Sequence, residues 1–128
     1  MTGALQVQTT IDNRDVLDRL AYELISRRQA ACVQVLGPVT SLFRWNNEIS
    51  SADEWLCIIK THESRYEAVE ATIRELHTYQ VPEIIALPIV AGGASYLAWL
   101  NEDVAETPPA DAAVSAENHS RYKQHPVH

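Results

Sequence analysis

The chain has 128 residues, 46% of them hydrophobic and 21% charged, with 10 Lys and Arg against 17 Asp and Glu for a formal charge of −7. That length and composition fit one globular domain with a single core and exclude a chain disordered throughout. The acidic balance argues against sequence-independent binding to nucleic acid or to an anionic membrane, both of which need clustered Lys and Arg.

Residues 4–10 alternate Leu5, Val7 and Thr9 against Gln6, Gln8 and Thr10, the period of a strand with one wet face. A helix over 14–28 follows, with Asp12 or Asn13 as its cap and Val16, Leu17, Leu20, Ala21, Leu24 and Ile25 on its apolar face. Arg27 and Arg28 suit the negative end of its dipole. Residues 31–45 read as a long strand bent at Gly37-Pro38, because proline cannot donate to a ladder. Asn46-Asn47 tolerates the positive φ of a tight turn, so 48–61 returns as the second arm of one long hairpin. Ser64-x-x-Glu67 has the pattern of a capping box and opens a helix over 65–77. The run 83–90 is short, apolar and rich in β-branched residues, with Pro88 marking an edge or a bulge. Gly92-Gly93 ends it, and a short helix covers 95–103.

The order β-α-β-β-α-β plus a terminal helix predicts an α+β, ferredoxin-like sandwich, two helices on one face of a four-stranded sheet. The domain is expected over 1–103. Residues 104–128, with few large apolar side chains and no periodicity, are expected to form a mobile tail.

Trp55-Leu56-Cys57-Ile58-Ile59 is apolar at both parities, and 31–33 and 84–87 are nearly so. The sheet face away from the helices is therefore expected to be dry as well, which calls for a cover. A second copy of the chain is the economical one, and the alternative is the terminal helix folded across that face, though it is short for the task.

No apolar run approaches the roughly 20 residues of a membrane helix, and residues 1–8 lack a basic stretch followed by an apolar one. Cys32 and Cys57 read as free thiols in a chain long enough to fold without disulfides. A cytoplasmic location, with no membrane and no nucleic-acid partner, is the expectation. Phosphate-loop, dinucleotide and G-x-S-x-G motifs are all missing, so nothing points to nucleotides or acyl transfer.

Five stretches resemble the CutA proteins, the divalent-cation tolerance family. They are Ala30-Ala31-Cys32-Val33, Thr40-Ser41-Leu42-Phe43-x-Trp45, Ile59-Lys60-Thr61, His77-x-Tyr79-x-Val81-Pro82-Glu83-Ile84 and Tyr96-Leu97-x-Trp99-Leu100, in the family's order and spacing over about residues 5–101. The chain departs from the pattern at Gln29, usually leucine, Asn47, usually glycine, and Thr78, where His-Pro-Tyr is usual. The resemblance implies a ferredoxin-like protomer in a homotrimer whose long hairpins wrap neighbouring subunits. It also implies a role in tolerance of divalent metals, copper above all, in a family not known as enzymes.

Three side chains are candidate metal ligands on that reading. Cys32 offers a soft thiolate suited to copper and matches the family's cysteine, against the alternative of a small buried hydrophobe. His77 closes the second helix where the family's motif begins, and it fits either a metal ligand or a dipole partner. Glu83 could add a carboxylate oxygen. Cys57 reads as core, and Trp45, Tyr79, Tyr96 and Trp99 read as packing anchors. His119, His125 and His128 could hold metal weakly in the tail. The competing function is a signalling scaffold similar to the P-II proteins, with a small ligand in a cleft between subunits lined by Lys60 or Arg44. A cysteine enzyme with Cys32 as nucleophile and His77 as base ranks third.

Overall fold

The computed structural model describes residues 2–106. In chain order the elements are β1 (Ala4–Ile11), α1 (Arg14–Ser26), β2 (Cys32–Trp45), β3 (Glu48–His62), a single 3-10 turn (Glu63–Arg65), α2 (Tyr66–Leu76), β4 (Ile85–Pro88) and α3 (Ala94–Asp103). The strands form one antiparallel sheet in the order β2-β3-β1-β4, which is the expected sandwich topology with a third helix added.

Local chemistry explains most of the boundaries. Asn13 caps α1, its side-chain oxygen accepting from the Val16 N–H at 3.1 Å. Arg27 stands at the end of α1 but serves less as a dipole partner than as a cross-tie. Its guanidinium pairs with Glu23 on α1 and with Glu75 on α2, the latter at 3.1 Å. The capping box does not form. Ser64 lies inside the 3-10 turn, where the His62 ring accepts its N–H at 3.1 Å, and α2 then starts at Tyr66 without a side-chain cap. The expected strand over 83–90 shrinks to four residues, because only Leu5–Gln8 of β1 face it and Pro88 has no N–H to extend the ladder.

The main core lies between the sheet and helices α1 and α2. Val7 and Ile11 of β1 and Cys57 and Ile59 of β3 meet Leu17, Leu20 and Leu24 of α1 and Val69 and Ile73 of α2, all fully buried. Each such side chain contributes on the order of 1.5–3 kcal/mol by leaving water. A second, smaller cluster joins Ala4, Ala31, Leu100 and Val104 under α3. Val104, expected to begin the tail, is only 1% exposed there, so the packed body runs one residue past the expected boundary. The rest of the expected tail, from 107 on, lies outside the described residues.

Antiparallel register assigns the two sheet faces. Val7, Thr9 and Ile11 with Cys57, Ile59 and Thr61 face the helices. The open face carries Leu36, Leu56, Ile58, Ile85 and Leu87, but also Gln6, Gln8, Thr10, Gln34 and Lys60. The expectation of a uniformly dry second face is therefore corrected. β1 supplies polar residues at alternate positions, so that face is half apolar.

The larger unpartnered apolar surface is on the hairpin. Beyond a register shift between Leu36 and Val39, β2 and β3 continue as a two-stranded arm closed by Asn46 (φ 50°) and Asn47 (φ 63°). Gly37 sits at the shift with φ 145°, and a Cβ there would lie 2.9 Å from the Trp55 ring, so glycine is required. No residue of 39–53 joins either core cluster. Leu42 (74%), Ile49 (75%) and Trp45 (51%) are exposed along the arm. By the register, Leu42 and Ile49 lie on one face of the ribbon and Phe43 and Trp45 on the other.

Candidate functional site

Cys32 opens β2 on the open sheet face, directly across from Lys60. Its thiol is partly buried, and loss of solvent pushes its pKa up while the Lys60 charge pulls the other way. Lys60 itself donates to the Gln34 side-chain oxygen at 2.8 Å. Cys57 is the deeper thiol, fully within the core and pushed up to about 12 by burial. Its assignment as core holds.

His77 follows the last turn of α2, where the backbone leaves the helix (φ −71°, ψ 146°). Its ring bridges two backbone groups: Nε2 lies 2.8 Å from the Thr10 carbonyl oxygen, and Nδ1 lies 3.0 Å from the Tyr79 N–H. A nitrogen that accepts from an N–H carries no proton, so these two bonds assign the neutral ring with its proton on Nε2. The Tyr79 ring sits edge-on to the imidazole at 4.6 Å between centroids, and its hydroxyl donates to Glu54 Oε2 at 2.6 Å. Glu54 is only 6% exposed. Burial first, and then the Glu54 hydrogen bond and charge, hold the Tyr79 phenol well above the usual tyrosine range.

Glu83 is exposed before β4, with Gln8 Nε2 donating to its Oε2 at 3.4 Å. Because Gln8 projects from the open face, Glu83 reaches that face too.

Within one protomer these three side chains do not form a coordination sphere. Cys32 is level with Lys60 on β3, whereas Thr10, which holds His77, is level with Leu56. Four residues of strand, roughly 13 Å at about 3.3 Å per residue, separate those levels. Among the described residues no three His, Cys, Asp or Glu side chains group as a metal site. Arg44, paired with Ile49 on the arm, is likewise remote from Lys60, so no anion cleft forms from that pair in one chain. A cleft of about 450 Å³ beside α3, lined by His62, Ser64, Asn101, Ala105 and Glu106, holds none of the candidates.

Glu54 is the residue that sequence reasoning missed. An acid at the start of the Trp55–Ile59 run looks like a strand end meeting water, and nothing in the spacing links it to Tyr79, 25 positions later.

These features define a class: a ferredoxin-like α+β protomer with an extended, partly apolar hairpin arm and potential ligands on its open face. Residues 5–103 match the family described as CutA1 divalent ion tolerance protein. A divalent-cation tolerance protein CutA of Thermus thermophilus is 37% identical over 97 residues, 76% of this chain and 94% of that protein. A structure of the Thermus thermophilus protein superimposes with a TM-score of 0.76 at 36% identity, covering 78% of this chain and 97% of that one. CutA1 from Oryza sativa has a TM-score of 0.78 at 37% identity, covering 84% and 100%. The curated rice protein, named as chloroplastic, is 38% identical over 104 residues, which span 81% of this chain but only 59% of its own length. The chain belongs to the CutA family.

Proposed function

We propose that this protein acts in divalent-cation tolerance as a self-associated metal-binding protein, not as an enzyme, with copper or a similar divalent ion as its ligand. The family match over 5–103 supports the coarse role. The observation that carries the finer reading is the placement of the candidates. Among the described residues Cys32, on the outer strand β2, and Glu83, beside β4 at the opposite edge, reach the same open, half-apolar face without meeting, and neighbouring copies are the proposed source of the remaining ligands. His77 enters such a set by releasing the Tyr79 N–H, which frees the Nδ1 lone pair while Nε2–H keeps the Thr10 carbonyl. Self-association as a homotrimer is supported by the exposed apolar arm, since an isolated two-stranded ribbon is marginal in water unless another surface packs on it. A cytoplasmic location is proposed on the strength of the two free thiols. Two relatives carry other locations in their names, chloroplastic for the rice protein and periplasmic for that of Archaeoglobus fulgidus.

Copper titration of the full chain tests this reading, with His119, His125 and His128 replaced by alanine so that these residues do not contribute. Adding Cys32→Ser is expected to weaken binding at least tenfold and to abolish sulfur-to-copper charge-transfer absorption. Adding Glu83→Gln is expected to weaken binding with the absorption kept. Equal affinity in all three proteins rejects the ligand set.

A further inference from the structure

We infer that His77 is a positioning residue whose two ring nitrogens pin the 77–79 turn to β1, so that the Tyr79 hydroxyl closes on Glu54 at the root of the hairpin arm. This goes beyond the metal reading and does not rest on it.

The chain of contacts is continuous. The His77 N–H still completes the helix by donating to the Ile73 carbonyl at 2.8 Å, and then the backbone turns out. At that point the imidazole takes over the pairing that the helix no longer supplies. Nε2–H holds the Thr10 carbonyl, on β1, and Nδ1 holds the Tyr79 N–H two residues on. The second bond folds the turn back on itself and brings the Tyr79 ring edge-on to the imidazole. From there the phenol reaches Glu54, which stands opposite Val39, the first pair of the arm beyond the register shift.

Glu54 is a buried carboxylate, and such a group needs a partner held in place. Tyr79 donates to it, and His77 holds Tyr79. The last connection before β4 is thereby tied to the place where the arm leaves the sheet. A ring whose two nitrogens are both committed in this way has no lone pair to offer a metal.

Histidine-selective ¹⁵N labelling of the full chain, with H77N used to assign the His77 resonances, reads the tautomer directly. Tyr79 amide exchange in the unsubstituted chain, H77A and H77N reads the turn. The expected result is an Nε2–H ring at neutral pH whose resonances do not move with equimolar Zn²⁺, and Tyr79 exchange at least tenfold faster in H77A. In H77N exchange stays within about threefold, because an asparagine oxygen can accept the N–H two residues on. An Nδ1–H ring, a saturating Zn²⁺-dependent shift of the His77 resonances, or a Tyr79 amide indifferent to H77A would overturn the inference. Should H77A fail to fold, the tautomer in the unsubstituted chain and the exchange rate in H77N still decide. Failure of the metal reading has a different signature, the absence of copper uptake, and leaves the ring tautomer where it is.

Discussion

The two cysteines show how one residue type takes opposite characters from its surroundings. Cys57 faces the helices between Leu56 and Ile58, with Thr9 across the ladder, and its complete burial disfavours a thiolate. Cys32 lies on the other face beside an ammonium. Because the Cys57 thiol is pushed up to about 12 in the folded chain from an ordinary 9.0, the unfolded chain releases that proton first as pH rises. The group's contribution to stability is therefore complete below about pH 9 and is lost between there and pH 12. Urea denaturation midpoints of Cys57→Ala and the unsubstituted chain, compared from pH 8 to 11, are expected to converge as pH rises. A constant gap would show that the thiol does not ionise on unfolding.

At the level of elements, the Asn46-Asn47 turn decides whether the arm closes in register. Both residues hold a left-handed conformation, which asparagine tolerates and β-branched residues do not. Asn47→Val is expected to cost about 1–2 kcal/mol, the ordinary price of that conformation for a residue with a Cβ branch, read as a lowered midpoint in urea. The turn was legible in the sequence because its signal is local, two asparagines between two runs of strand formers. So were the three helices and the bend at Gly37-Pro38, each marked by a cap, a period or a missing donor. The capping box misled, because the His62 ring two residues upstream competed for the Ser64 N–H, a preference that pattern alone does not weigh. The open face misled for a related reason. Apolar runs on β2, β3 and β4 say nothing of the strand that lies among them, and β1 brings Gln6, Gln8 and Thr10 to the same face, across from Lys60, Ile58 and Leu56. For the candidate site, motif positions gave the residue types, but the separation of Cys32 from His77 is a matter of register. The Glu54–Tyr79 bond depends on how the 77–84 connection rounds the sheet.

On the scale of the molecule, the arm is the dominant unsatisfied feature. Leu42 and Ile49 on one side and Phe43 and Trp45 on the other leave neither face of the ribbon suited to water. At roughly 25 cal/mol per Å², covering several such side chains contributes several kcal/mol per arm, enough to favour association of a chain that already folds. Sedimentation equilibrium at micromolar concentration is expected to give a particle of three 14.3 kDa chains. Leu42→Asp combined with Ile49→Asp is expected to shift it toward single chains with the far-ultraviolet spectrum kept. A monomer in the unsubstituted protein would remove the basis for any ligand set shared between copies.

Ala4 and Val104 pack in the same small cluster, and the Thr2 hydroxyl donates to the Ile89 carbonyl beside them. Entry to and exit from the described body thus sit on a common rim, far along β3 from the tip of the ribbon. A short flexible splice from 106 back to 2 would span that rim without disturbing either core. Reopening the ring between Asn46 and Asn47 would then give a circular permutant in which the two strands of the arm become free ends. Such a rearranged chain would separate what the sandwich needs to fold from what the arm contributes to assembly.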